Sequence, residues 1–194
     1  MKINLWSYKE EYKSIRKKIL QEVDKVFSSG RLILGNNVKS LESNFSKYLK
    51  LKYGIGVNSG TDAIQIALMS AKIGKGDEVI TVSNTAVPTI SAIVSCGARP
   101  VFVDINKYDY LIDVNKIEKV INKKTKAIIP VNLYGQCADY DKILKIAKKN
   151  KLLVIEDCAQ SVGSFYNNKP SGSFGHISAF SFYPTKNLGA YGDG

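Results

Sequence analysis

Hydrophobic positions recur with two different periods along the 194 residues. From residue 7 to 29 they fall at helical spacing. Tyr12, Ile15, Ile19, Val23 and Val26 share one face, Ser7 stands as N-cap, acidic residues come early, and Gly30 closes the run. A second helical stretch covers 38–50 through Val38, Leu41, Phe45, Tyr48 and Leu49. From residue 53 the pattern changes to short apolar runs alternating with helical stretches. Strands are predicted at 53–57, 78–82, 100–104, 126–131, 152–156 and 178–182, with helices near 61–72, 87–96, 114–122 and 139–150. This order predicts an α/β domain whose mostly parallel mixed sheet is flanked by helices. There is no internal repeat, low-complexity tract or flexible linker, so one domain runs on to residue 194.

At 44% hydrophobic residues the chain can bury one substantial core. No uninterrupted apolar run approaches the roughly 20 residues of a spanning helix, and the start MKINLWSYKEEYKS lacks the apolar centre of a secretory signal. Cys96, Cys137 and Cys158 are odd in number and far apart, which suits a reducing compartment and small core residues and offers no metal-ligand spacing. These features predict a cytoplasmic protein without a membrane partner. The formal charge of +11 raises the question of nucleic acid. Arginine occurs only at 16, 31 and 99, so lysine supplies 25 of the 28 basic residues. Base reading favours the arginine fork, and the lysines are scattered over several helices rather than gathered with aromatics on one stripe. The reading is therefore against nucleic acid.

In open α/β sheets the ligand site lies beyond the carboxyl ends of the strands. Here that edge collects NSGT, SNTA, NLYG, EDCAQ and YPTKN. In NSGTDAIQIAL a strand end meets a helix start, and Gly60 with Thr61 would let a phosphate reach the first backbone amides; taken alone, the segment reads more readily as an ordinary capped turn. In VIEDCAQSVG, strand alternation sends one of Glu156 and Asp157 into the flank of the sheet and the other to the crevice, where a carboxylate needs a cationic partner. A helix cap or a surface salt bridge is the alternative. Lys186 follows a strand-like run, with Pro184 shaping its turn and Gly189, Gly192 and Gly194 allowing close backbone approach. A lone lysine is usually a solvated charge, yet a crevice favours its nucleophilic neutral form. A phosphate cradle, a carboxylate and a reactive lysine together match the phosphate, ring nitrogen and aldehyde of pyridoxal phosphate.

The motifs NSGTDA, GARPVFVDI, IIPVNLYGQ, VIEDCAQSVG and FSFYPTKNLGAYGDG, with the early SGRLILG, together resemble the DegT-like nucleotide-sugar aminotransferases of pyridoxal-phosphate fold type I. The resemblance covers nearly the whole chain and implies the large domain of that fold. It implies that Lys186 binds the cofactor covalently and moves the substrate proton, and that Asp157 keeps the ring nitrogen protonated. Gly60, Thr61 and Ser181 would hold the phosphate, and Gln160 would contact the ring or its phenolic oxygen. Related dehydratases carry histidine where Lys186 stands, so the lysine points to amino transfer. The implied partners are a nucleotide-linked keto sugar, an amino donor such as glutamate, and a second copy in a homodimer. The implied product is an amino sugar for surface glycans. Family members continue into the rest of the large domain and a smaller carboxyl-terminal domain, so residues 1–194 are expected to be a truncated large domain. One departure is Ala86, which stands after Asn84 and Thr85 where many relatives place a stacking aromatic. Asn132 and Tyr134 are candidates for substrate approach or for core and loop roles.

Two other readings compete. Gly54, Gly56 and Gly60, with the Tyr183/Lys186 pair, could suggest a nicotinamide oxidoreductase. However, the first two glycines alternate with Ile55 and Val57 as in a strand, and Pro184 separates a tyrosine and lysine that are three apart instead of four. A non-catalytic or regulatory relative that keeps the fold is the second competitor.

Overall fold

The structure is a computed structural model that describes residues 7–194. Part of the stretch read for a leader, residues 1–6, lies outside the described residues. The chain forms two compact units, one up to Gly56 and one from Val57 to Gly194.

The first unit holds α1 (Lys9–Ser28) and α2 (Asn36–Leu49). Helix α1 starts two residues after the expected Ser7. Tyr8 occupies the N-cap position without a side-chain cap, and Gly30 ends the helix at a φ of +66°. Residues 53–57 are not the predicted strand. Gly54 and Gly56 lie against α2 instead: a Cβ at Gly54 would come within 2.5 Å of the Glu42 carbonyl oxygen, and the Gly56 N–H donates to Glu42 Oε1 at 2.8 Å. The alternation of Ile55 and Val57 imitates a strand, but close packing of the glycines on a helix decides the conformation.

The second unit is a five-stranded sheet. Its strands are β1 (Glu78–Val82), β2 (Arg99–Val103), β3 (Thr125–Ile129), β4 (Leu153–Asp157) and β7 (Ile177–Ala179), in spatial order β2-β1-β3-β4-β7. Every neighbouring pair is parallel. The connecting helices are α3 (Gly60–Ser70), α4 (Val87–Ser95), α5 (Val114–Ile117, prolonged by a 3₁₀ turn at 118–120) and α6 (Tyr140–Asn150). Strand β1 is buried throughout, as a central parallel strand should be. Alternation sorts its residues to two cores. Val79, Ala127, Ile129 and Ile155 pack with Ile64 and Leu68 of α3 and Ala92 and Ile93 of α4. Ile80, Val82, Ile128 and Val154 pack with Val114 and Ile117 of α5 and Tyr140, Ile143 and Ala147 of α6. The observed strands lie within three residues of the predicted boundaries, and the last one is shorter than expected.

A small hairpin, β5 (Phe165–Tyr166) with β6 (Lys169–Pro170), was not anticipated. Asn167 and Asn168 both take positive φ, 47° and 61°, as a tight two-residue hairpin turn requires. The hairpin leads into residues 171–175, which are tied to β4 by a buried carboxylate. Glu156 is fully buried and accepts from the backbone N–H groups of Gly172 (2.9 Å), Phe174 (2.6 Å) and Gly175 (2.6 Å). Phe174 in turn stacks on Tyr140, with ring centroids 4.5 Å apart. Replacing Glu156 by Gln would put an amide N–H₂ among N–H donors and leave at least one buried donor unpaired. We expect Glu156→Gln to cost about 2–3 kcal/mol in urea denaturation. A loss below about 0.5 kcal/mol would mean that the 171–175 segment does not depend on this carboxylate.

Candidate active site

Because all five strands run the same way, their carboxyl ends and the turns after them share one edge of the sheet. A cleft of about 340 Å³ opens there, of a size suited to a small cofactor. All six residues singled out from the sequence, Gly60, Thr61, Asp157, Gln160, Ser181 and Lys186, line it. Its apolar wall includes Ile64, Ala86, Pro88, Val131 and Leu133.

At one side α3 begins. Ser59 is its N-cap and accepts from the Asp62 N–H at 3.1 Å, while its own hydroxyl donates to Asp62 Oδ2 at 2.9 Å. The N–H groups of Gly60 and Thr61 have no acceptor among the described residues, leaving first-turn donors at the positive end of the helix. Gly60 is needed here for packing as well as approach. A Cβ on it would lie 2.9 Å from Ser181 Cβ and 3.2 Å from the Phe180 carbonyl oxygen. The missing side chain therefore brings the segment after β7, and with it the buried Ser181 hydroxyl, up to the start of α3.

Asp157 ends β4 on the same face as Ile155, whereas Glu156 turns to the opposite face. Asp157 is 4% exposed. Its Oδ2 accepts from Thr89 Oγ1 at 2.7 Å and its Oδ1 from the Ala159 N–H at 3.1 Å. It makes no ion pair among the described residues, although the Lys186 charge acts on it from a distance. Burial accordingly pushes its carboxyl above the ordinary 3.8, against the opposing pull of Thr89, Ala159 and Lys186. The site thus holds a buried carboxylate with neutral hydrogen-bond partners, and a cationic N–H donor in the cleft would relieve it.

Lys186 is half-buried in a turn after β7, its backbone N–H bonded to the Tyr183 carbonyl at 2.8 Å. This turn is not the helix face that a tyrosine–lysine dehydrogenase pair needs. It is closed by two backbone bonds, Phe182 N–H to Gly194 O (2.8 Å) and Ala190 N–H to Phe182 O (2.7 Å), and Gly189 fits against the Pro184 carbonyl where a side chain would clash. The Lys186 ammonium has no ion-pair partner among the described residues. Gln160 stands at the rim, where its Oε1 accepts from the Tyr134 N–H at 3.2 Å. Ala86, with no ring to stack, lines the cleft.

Asn132 belongs to the core. Fully buried, it donates to Ser171 Oγ (2.9 Å) and accepts from the Ala138 N–H (3.0 Å) and the Tyr140 hydroxyl (2.9 Å). Tyr134 is 68% exposed, at a φ of 55°. Sequence reasoning passed over Thr85 and Thr89, which lie in the cleft wall; Thr89 reaches Asp157 across 68 residues of chain, and Thr85 is bonded to Thr89. The two threonines of TAVPT were the only available hint. Among the described residues no group of three metal-ligating side chains comes together, and no helix is long and apolar enough to cross a membrane.

A parallel-sheet α/β unit with lysine, carboxylate and helix N-terminus at one strand-end cleft has the architecture of fold-type I aminotransferases. The model of the DegT/DnrJ/EryC1/StrS aminotransferase family matches residues 13–194, and the chain belongs to that family. It is 48% identical over 190 residues to a dTDP-3-amino-3,4,6-trideoxy-alpha-D-glucose transaminase of Micromonospora megalomicea subsp. nigra, covering 98% of this chain and 51% of the relative. It is also 48% identical over 194 residues to the "Pleiotropic regulatory protein" of Geobacillus stearothermophilus, covering 100% of this chain and 52% of that one. Among solved structures, NtdA from Bacillus subtilis with bound cofactor PMP superposes with a TM-score of 0.88 at 38% identity, over 93% of this chain and 40% of that one. The chain spans about half the length of the curated relatives it matches.

The raised Asp157 carboxyl has a measurable consequence in the ligand-free protein. Its folded-state pKa lies above the unfolded value, so its ionisation at neutral pH weakens folding, and protonation on acidification restores the loss. We expect the melting temperature of the unsubstituted protein, relative to Asp157→Asn, to rise as pH falls from 7 towards the ordinary 3.8. A difference that is flat or of opposite slope in differential scanning fluorimetry would contradict the burial assigned to this carboxylate.

Proposed function

We propose that the protein containing this chain is a pyridoxal-phosphate-dependent aminotransferase. It moves an amino group, from glutamate or a similar donor, to a nucleotide-linked keto sugar for amino-sugar and surface-glycan synthesis. The observation that carries the reading is the placement in one cleft of a lysine, a buried carboxylate and a helix start. Among the described residues the ammonium has no ion-pair partner, the first N–H groups have no acceptor, and the carboxylate has only the Thr89 and Ala159 donors. Bound there, pyridoxal phosphate supplies an aldehyde that condenses with amines and a ring that takes up electron density from the substrate carbon. The residues present fit it. The N–H groups of Gly60 and Thr61, with the Thr61 and Ser181 hydroxyls, hold its phosphate at the positive end of α3. Asp157 would accept from the protonated ring nitrogen, a charge-assisted bond that would offset the desolvation of the carboxylate. The Lys186 amine would hold the aldehyde and would move the proton at the substrate carbon. Gln160 closes the rim.

The names of the transaminase relatives support a nucleotide-sugar substrate, and assembly as a homodimer belongs to the same proposal on the family resemblance alone. The span of about half the relatives' length supports reading residues 1–194 as part of a larger protein, its large cofactor-binding domain. The three free cysteines agree with a cytoplasmic setting. A second reading, a regulatory protein of this fold, rests on the name of the Geobacillus relative alone and is not favoured over amino transfer.

The test uses the full-length protein with added pyridoxal phosphate. We expect an absorbance band that shifts on adding glutamate, and borohydride trapping followed by peptide mapping that places the pyridoxyl group on Lys186. Lys186→Ala should abolish the trapped product and lower turnover by at least about a thousandfold, as loss of a covalent and proton-transferring group does. A label on another lysine overturns the assignment. A spectrum unmoved by glutamate selects the regulatory reading.

A further inference from the structure

Thr89 lies in the first turn of α4, is 1% exposed and donates from Oγ1 to Asp157 Oδ2 at 2.7 Å. The same hydroxyl lies 2.7 Å from Thr85 Oγ1. A threonine hydroxyl has one proton, and on Thr89 it is committed to the carboxylate, so the Thr85 contact is a bond donated by Thr85 and accepted by Thr89. The two bonds therefore run one way, from Thr85 through Thr89 to Asp157. On the other side, the Ala159 N–H fixes Oδ1. Each carboxylate oxygen is held by one donor of the protein, which sets the plane of the group and leaves its remaining lone pairs for the cleft.

A protonated Asp157 would set its own proton against the donors that hold it. A chain of donors ending on the carboxylate thus favours the ionised acceptor in a place where burial opposes it. From this geometry we infer that Thr89 is a positioning residue for Asp157, holding the carboxylate as an oriented acceptor at the end of a one-way hydrogen-bond chain that starts at Thr85. The role of that acceptor towards a ring nitrogen rests on the function proposed above; the chain of bonds itself does not.

The charged surroundings of Asp157 are few. Lys186 acts on it from the turn after β7, Asp193 lines the same cleft but is bonded to neither Asp157 nor Thr89 among the described residues, and the neighbouring Cys158 thiol, pushed well above its ordinary range by burial, is neutral through the acid range. Helix α4 carries no ionisable side chain, and in α3 Asp62 is bonded to Ser59. Glu156 is turned to the other face and held on three backbone N–H groups. A pH dependence that changes with Thr89 therefore reports on Asp157.

The experiment compares full-length Thr89→Val, which keeps the shape and loses the hydroxyl, with Thr89→Ser, which keeps a hydroxyl. Without cofactor, Thr89→Val should lower the melting temperature by an amount that grows as pH rises from about 4 to 7, while Thr89→Ser follows the unsubstituted protein. With pyridoxal phosphate as probe, Thr89→Val should weaken binding about tenfold, and Thr89→Ser should restore it. Thr85→Val, which stays clear of the carboxylate, should change both readouts in the same direction by less, and it serves if Thr89→Val does not fold. A melting-temperature loss independent of pH overturns the inference, because it describes a packing residue only. Borohydride mapping of the unsubstituted protein separates the two levels. A pyridoxyl label absent from Lys186 overturns the functional proposal, while the cofactor-free pH profiles still decide the role of Thr89.

Discussion

Two adjacent carboxylates at the end of one strand must both be buried, and the way each is compensated shapes this molecule. Strand alternation sends Glu156 and Asp157 to opposite faces of β4. Glu156 is met by three backbone N–H groups and becomes the fastening for the 171–175 segment. Asp157 is met by a threonine hydroxyl and one N–H, which leaves its charge only partly compensated. The first solution is structural. The second keeps a charge ready in the cleft, a cost in folding that makes sense where a cationic ligand group is to be bound.

The rest of the site follows from where that carboxylate stands. Parallel strands place every turn on one edge, so the start of α3, the end of β4 and the segment after β7 meet although they are far apart in sequence. Gly60 permits the closest of these approaches, since a Cβ there would strike Ser181 and the Phe180 carbonyl. The lysine turn is held from outside the cleft, by the backbone bonds of Phe182 and the fit of Gly189 against Pro184. Among the described residues the side chain of Lys186 is then left without an ionic partner, which suits the role proposed for it. The family match over residues 13–194 and the 48% identity to a nucleotide-sugar transaminase agree with this arrangement.

Much of this was legible in the residues. Buried parallel strands are short apolar runs, and their ends carry the polar residues, so the β1 to β4 segments and the cleft edge could be placed from periodicity. The segment 53–57 was misleading because glycines alternating with Ile55 and Val57 look like a strand, while the backbone is in fact taken up by Glu42 of α2. The β5–β6 hairpin was missed although Asn167 and Asn168 are a recognisable turn pair; its strands are two residues long and carry no alternation. Thr89 had no signal beyond the hydroxyls of TAVPT, because its partner is 68 residues away and only the tertiary fold brings them together. The glycine at 60 was foreseen as a phosphate approach, but its contact with Ser181 needed the tertiary structure.

The central claim is that one small anionic ring compound is gripped at three places, the start of α3, Asp157 and Lys186. A crystal structure of the full-length protein grown with pyridoxal phosphate tests it most directly. The account predicts phosphate density against the Gly60 and Thr61 amides, the ring nitrogen within hydrogen-bond distance of Asp157, and continuous density to Lys186 Nζ. Cofactor bound elsewhere, or bound with its ring nitrogen turned away from Asp157, would contradict it.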